Sequence, residues 1–262
     1  MASAPDRGAA QAAARESAAP NMMLDRGDGT LLAFRRQPGA TPGVVFLGGF
    51  NSDMTGSKAE ALAAWCAGEG RAFLRFDYSG HGASGGRFQD GTIGQWLDDA
   101  TLMLDRQSAG PQVLVGSSMG GWLALLLALR RPERVRALVL LAAAPDFVLR
   151  IEEALSAEAR DEMARTGVWL RPSQYGPPYP IARRLLDEGR NHLLLHQPIP
   201  LNIPVRLLHG QHDPDVPWQL SLTIAARLSG DDVQVQLVKD GDHRLSTPRD
   251  LALLCGSVAA LM

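Results

Sequence analysis

Val113-Leu114-Val115-Gly116-Ser117-Ser118-Met119-Gly120, running on into the apolar residues 122–129, is the stretch that decides the fold. It fits the pattern G-x-S-x-G in one register only: centring it on Ser117 would need a glycine where Val115 stands. A short apolar run, a turn flanked by glycines and a long apolar run read as buried strand, tight turn and buried helix. Such a turn needs small neighbours, which Gly116 and Gly120 supply. It raises the Ser118 hydroxyl above the end of the strand and turns the Met119 amide toward the place where a substrate oxygen would sit.

Working outward, residues 31–34, 44–47, 72–76, 135–141 and 205–208 are largely apolar runs of strand length, and 233–238 reads as a further strand. Helical spacing recurs over 58–66, 96–104, 122–129, 218–228 and 249–261. Near-continuous apolar strands alternating with helices predict an α/β fold with a mostly parallel central sheet covered on both faces. From about residue 145 to 200 the rhythm changes: two charged helical segments, 151–165 and 181–188, flank a loop, 169–180, rich in proline and aromatics. This reads as a helical lid insertion after one sheet strand and before the next, with Trp169 and Tyr175 as candidate substrate-binding residues. Residues 23–262 are expected to form one domain, and the Ala-rich residues 1–22 a disordered tail.

A serine hydroxyl is a weak nucleophile and needs a base, which needs a group to orient it. On this kind of sheet the order along the chain is serine, acid, histidine. His192 and His196 precede the strand that should carry the acid, and His209 ends that strand as a packing or hydrogen-bonding residue. His243, in the polar loop Asp240-Gly241-Asp242-His243 after the last strand, is the candidate base. Asp213, in the turn after strand 205–208, is the candidate acid, with Asp215 read as a turn former. His209, His212 and Asp213 are crowded into one strand-end turn with no distal partner, so neither a metal nor an organic cofactor is expected.

Acyl transfer further requires donors at the developing oxyanion, each worth roughly 2.7–4 kcal/mol of barrier. The backbone N–H of Met119 is one candidate, and that of Phe50, in the loop Gly48-Gly49-Phe50 after strand 44–47, is the other, with Gly49 as the alternative. For a backbone donor the side chain at Phe50 is expected to matter little. The turn Asp77-Tyr78-Ser79-Gly80-His81-Gly82 reads as structural, at the rim of the pocket.

The chain has 262 residues, 45% hydrophobic and 21% charged, with a net charge of −2. That suffices for one sizeable core and gives no reason to expect a nucleic-acid partner. No stretch approaches the ~20 apolar residues of a membrane span, so no stable membrane insertion is expected. Cys66 and Cys255 sit in helical patterns and read as buried thiols of a reducing compartment. In the N-terminal segment Arg7 and Arg15 suit a transit peptide, but Asp6 and Glu16 do not, and a cytoplasmic protein is expected.

Over roughly residues 24–262 the sequence resembles the α/β-hydrolase superfamily, and within it the mitochondrial palmitoyl-protein thioesterase and acyl-glucuronide esterase branch. The resemblance runs through Ser52-Asp53-Met54-Thr55-Gly56, Arg75-Phe76-Asp77-Tyr78-Ser79-Gly80 and Val115 to Trp122 around the elbow. It continues in Gly167-Val168-Trp169, Arg206-Leu207-Leu208-His209-Gly210, Val216-Pro217-Trp218 and Asp242-His243-Arg244. It implies a triad of Ser118, Asp213 and His243, an acyl ester or thioester as substrate, and an S-acylated protein as one form of that substrate. The residues alone leave open a general carboxylesterase or a peptidase on the same fold, and a binding module that does no chemistry.

Overall fold

The computed structural model describes residues 20–172 and 178–262. Eight strands form the main sheet in the order β1-β2-β4-β3-β5-β6-β9-β10. They are β1 (Met22–Asp25), β2 (Leu31–Gln37), β3 (Ala40–Leu47), β4 (Arg71–Phe76), β5 (Gln112–Ser117), β6 (Val135–Leu141), β9 (Val205–Gly210) and β10 (Val233–Val238). From β4 to β10 every pairing is parallel; β2 runs antiparallel to both β4 and β1. Met22 pairs with Phe34, so the expected tail overlaps the first strand at its last residue.

The central strands are apolar on both faces because both are covered. On β5, Leu114 belongs to one core cluster while Val113 and Val115 belong to the other, the period-two alternation of a strand. The first face is closed by α2 (Ile93–Gln107), which buries Trp96, Leu97 and Met103, and by α3 (Met119–Arg130), in which Trp122 to Leu125 and Leu127 are all fully buried. The second is closed by α1 (Ser57–Gly68) through Ala59 and Leu62 and by α8 (Pro248–Ala259) through Leu254 and Val258. α7 (Gln219–Arg227) links β9 to β10. Cys66 of α1 is buried as expected, but Cys255 of α8 is only half-buried, and neither forms a disulfide.

Between β6 and β9 the chain leaves the sheet. It forms α4 (Phe147–Ala154), α5 (Ala157–Thr166), the antiparallel pair β7 (Val168–Arg171) and β8 (Tyr179–Ala182), and α6 (Arg183–Gly189). The two ends of this excursion are tied together. The Asp146 carboxylate accepts the Leu194 and Leu195 N–H groups, each at 2.9 Å, and the Trp122 indole N–H of α3 donates to the His192 carbonyl at 3.1 Å.

Candidate active site

β5 delivers Ser118 to the C-terminal edge of the parallel strands, where ligands of open α/β sheets bind. Ser118 has φ 55° and ψ −116°, a conformation that costs a non-glycine residue about 1–3 kcal/mol and persists only if its surroundings enforce it. Three backbone bonds do so: Ser118 N–H to Leu141 O (2.9 Å), and Gly121 N–H (2.9 Å) and Ala144 N–H (3.0 Å) to Ser118 O. The flanking glycines are steric requirements. A methyl group on Gly116 would overlap the Gly120 carbonyl, and one on Gly120 would overlap the Leu47 carbonyl at the end of β3. Because α3 begins at Met119, the unsatisfied N–H groups and positive end of that helix lie directly behind Ser118.

His243, after β10, has its Nδ1 2.7 Å from Asp213 Oδ2. A carboxylate only accepts, so Nδ1 carries the hydrogen and Nε2 is left to take a proton. The Asp213 side chain is fully buried and its oxygens are saturated. Its Oδ1 accepts the Asp215 and Val216 N–H groups (2.8 Å each), and its Oδ2 also faces His209 Nε2 at 3.1 Å. Burial pushes the Asp213 carboxyl up, but the bonds from His209 and His243, the attraction of His243 and the Val216 N–H outweigh it and hold the group well below its ordinary range. His209 is a buried hydrogen-bonding residue, as read from sequence, its Nδ1 lying 2.7 Å from Ser221 Oγ. Asp213, Asp215 and His243 bring ligand atoms within 4.8 Å of one another, but the hydrogen bonds already engage both Asp213 oxygens.

Ser118, Met119, Phe50, Trp169 and His243 all line one cavity of about 650 Å³. Tyr175 lies outside the described residues. The Phe50 side chain is not the indifferent group that the expectation of a backbone donor implied. Its ring meets those of Phe88, Trp96, Phe147 and Tyr179 edge-on, with centroids 4.8 to 5.8 Å apart. Sequence reasoning missed Phe147 and Arg150 in the lining because it began the helix at Ile151. Phe147, Arg150, Ile151 and Ala154 are one helical face, and all four line the cavity. Among the described residues Arg150 Nε is buried with no hydrogen-bond partner, and burial lowers the pKa of its guanidinium although Asp213 and Asp215 act against that.

A parallel sheet that carries a strained serine on its central elbow, with a hydrogen-bonded Asp–His pair at the same edge, has the architecture of an α/β hydrolase, and the chain is a hydrolase of that class. The profile of the family described as serine aminopeptidase, S33 (Hydrolase_4) matches residues 40–185. The chain belongs to this family. It is 44% identical over 241 residues to the palmitoyl-protein thioesterase ABHD10, mitochondrial, of Mus musculus, an overlap covering 91% of this chain and 81% of the relative. The structure of the mouse α/β hydrolase domain-containing protein 10 superposes with a TM-score of 0.86 at 44% identity, covering 93% of this chain and 98% of the other. A hydrolase of Agrobacterium vitis S4 superposes with a TM-score of 0.88 at 40% identity, covering 92% and 97%. The mouse relative and its human counterpart are both named mitochondrial, which overturns the cytoplasmic location expected from Asp6 and Glu16.

Proposed function

We propose that the chain hydrolyses acyl thioesters and esters, through Ser118 as nucleophile, His243 as general base and then acid, and Asp213 as the group that orients it. The observation that carries this is the shared cavity, lined by the strained Ser118 and by His243, with Asp213 2.7 Å behind the imidazole. His243 Nε2 takes the Ser118 proton as Oγ attacks the acyl carbon. The backbone N–H groups of Phe50 and Met119 receive the oxyanion, and His243 returns the proton to the departing thiol or alcohol. Water then repeats the sequence and releases the acid. Asp213, kept ionised by its donors, holds the imidazole tautomer and stabilises its cation.

The segment between β6 and β9 acts in this reading as a lid over the acyl chain, which lies along Phe147, Ile151, Ala154 and Trp169. The mouse relative, named a palmitoyl-protein thioesterase, supports a long acyl chain and an S-acylated protein as the physiological donor. The test is to compare initial rates on matched thioesters and oxygen esters with acetyl and palmitoyl groups, Ser118→Ala serving as blank. A long-chain thioester preference that vanishes in the variant is expected. A preference for short or aryl oxygen esters assigns a general carboxylesterase instead, and turnover that survives in Ser118→Ala removes Ser118 as nucleophile.

A further inference from the structure

The hydrolytic scheme leaves unused a histidine of the Asp77–Gly82 turn. His81 is only 2% exposed, and its ring lies edge-on to those of Tyr78, Phe88 and Trp96. Its two nitrogens face partners of opposite kind. Nδ1 lies 3.3 Å from the Ser79 carbonyl oxygen, which only accepts, and Nε2 lies 3.3 Å from the Asn51 backbone nitrogen, which only donates. The pair fixes one tautomer, with the hydrogen on Nδ1 and a bare Nε2 as acceptor.

Asn51 directly follows Phe50 and has φ 55°, the left-handed region, which a non-glycine residue enters at a cost. The turn that contains it is closed from Ser52, whose N–H and Oγ both donate to the Gly49 carbonyl, at 3.3 and 2.8 Å. Gly49 packs against the nucleophile: a methyl group there would stand 3.5 Å from Ser118 Cβ. The Phe50 ring anchors the same turn against Phe88 and Trp96, two of the rings that also enclose His81.

We propose that His81 is a positioning residue for the oxyanion: by accepting the Asn51 N–H, it holds the Gly49–Phe50–Asn51 turn in the conformation that presents the Phe50 N–H to a substrate oxygen at Ser118. This rests on the assignment of the Phe50 N–H as oxyanion donor made above. A donor helps only if fixed within hydrogen-bond reach of the position the oxyanion takes, so a loosened turn weakens the transition state while the cavity walls still bind the ground state. Burial supports the role, since it pushes the imidazole down to about 4 and keeps Nε2 an acceptor at neutral pH.

The variants are His81→Phe, which keeps a ring and removes the acceptor, and His81→Gln, whose amide oxygen restores one near Nε2. The measurements, at neutral pH, are kcat and KM on a thioester and the affinity for a trifluoromethyl ketone that mimics the tetrahedral adduct. His81→Phe is expected to lose about tenfold or more in kcat with KM nearly unchanged. Ketone affinity should weaken by a similar factor, and His81→Gln should recover most of both. A wild-type kcat in His81→Phe, a loss confined to KM, or equal losses in the two variants overturns the proposal. Should His81→Phe not fold, the imidazole ¹⁵N shifts of the wild-type protein decide: a protonated Nδ1 with bare Nε2 is required, and the opposite tautomer overturns the role. If the wild-type protein neither turns over esters nor reacts with a fluorophosphonate, it is the assignment of the site that has failed, and His81 has nothing to position.

Discussion

At the scale of single residues the site separates two aspartates that lie next to each other in the same turn. Asp213 is the one bonded to His243, and Asp215 contributes its backbone N–H to Asp213. Asp213→Asn puts an amide opposite Nδ1 and favours the wrong imidazole tautomer. It should lower kcat on the order of 10³–10⁴-fold with little change in KM. Asp215→Asn keeps that N–H and should stay within a few-fold of wild type; steady-state kinetics on one ester distinguishes them, and equal losses would refute the assignment. Phe50 makes a second case. The backbone role proposed for it would alone make substitution harmless, yet its ring contacts predict that Phe50→Ala lowers stability by roughly 2 kcal/mol and reduces activity through the turn. Urea unfolding beside kinetics reads both; a variant as stable as wild type would mean that the ring contacts carry no weight. Order along the chain put both aspartates after the strand ending at Leu208, and it is the hydrogen bond to His243 that sets Asp213 apart. The cage around Phe50 was not legible in the sequence, because Phe88, Trp96, Phe147 and Tyr179 come from four separate stretches of chain.

At the scale of elements, legibility follows length and periodicity. The elbow strand, the helix after it and the buried strands β4, β6 and β9 are apolar runs with one reading each, and they fall within a few residues of where the sequence places them, whereas β3 starts at Ala40, ahead of its apolar run, and β10 alternates Val with Gln and is not buried. The four-residue strands β1, β7 and β8 are too short to show a period. Pro172 and Pro180 made the stretch around Trp169 look like plain loop, although β7 and β8 pair there from Val168–Ala182 to Arg171–Tyr179. That pairing alternates the two faces of β7. Trp169 and Arg171 line the cavity, while Leu170 between them is 54% exposed. Trp169→Ala should therefore raise KM for palmitoyl thioesters more than for acetyl esters, and equal effects across chain lengths would count against the lid. The elbow predicts the reverse of tolerance. Gly120→Ala drives a methyl group into the backbone at the end of β3, which cannot yield as a flexible side chain can. The variant should be insoluble or inactive, as judged by circular dichroism and ester turnover, and a folded, active Gly120→Ala would mean that α3 can slide away from β3.

At the scale of the whole molecule, parallel pairing is what makes a site from distant residues. Phe50, Ser118, Asp213 and His243 follow β3, β5, β9 and β10, and strands running the same way bring all four to one edge of the sheet. That edge is also where ionisable groups are buried, so the fold carries a pH dependence of its own. Burial raises the carboxyls of Asp77, Asp99 and Asp146, which favours the folded state on acidification, whereas it lowers His81 from 6.5 to about 4, which opposes it. For His81 the unfolded chain binds a proton that the folded chain refuses between those two values. Its contribution to stability is complete above pH 6.5 and is lost as pH falls through that window, on the order of 3 kcal/mol in all. The carboxyls titrate in wild type and in His81→Gln alike, so the difference in unfolding free energy between the two isolates the histidine. Urea unfolding at neutral pH and at successive steps down toward pH 4 should show the wild-type protein losing ground steadily to His81→Gln. A difference that stays constant with pH would mean that the imidazole in the folded protein reaches solvent and accepts a proton, and that it does not serve as a fixed acceptor for Asn51.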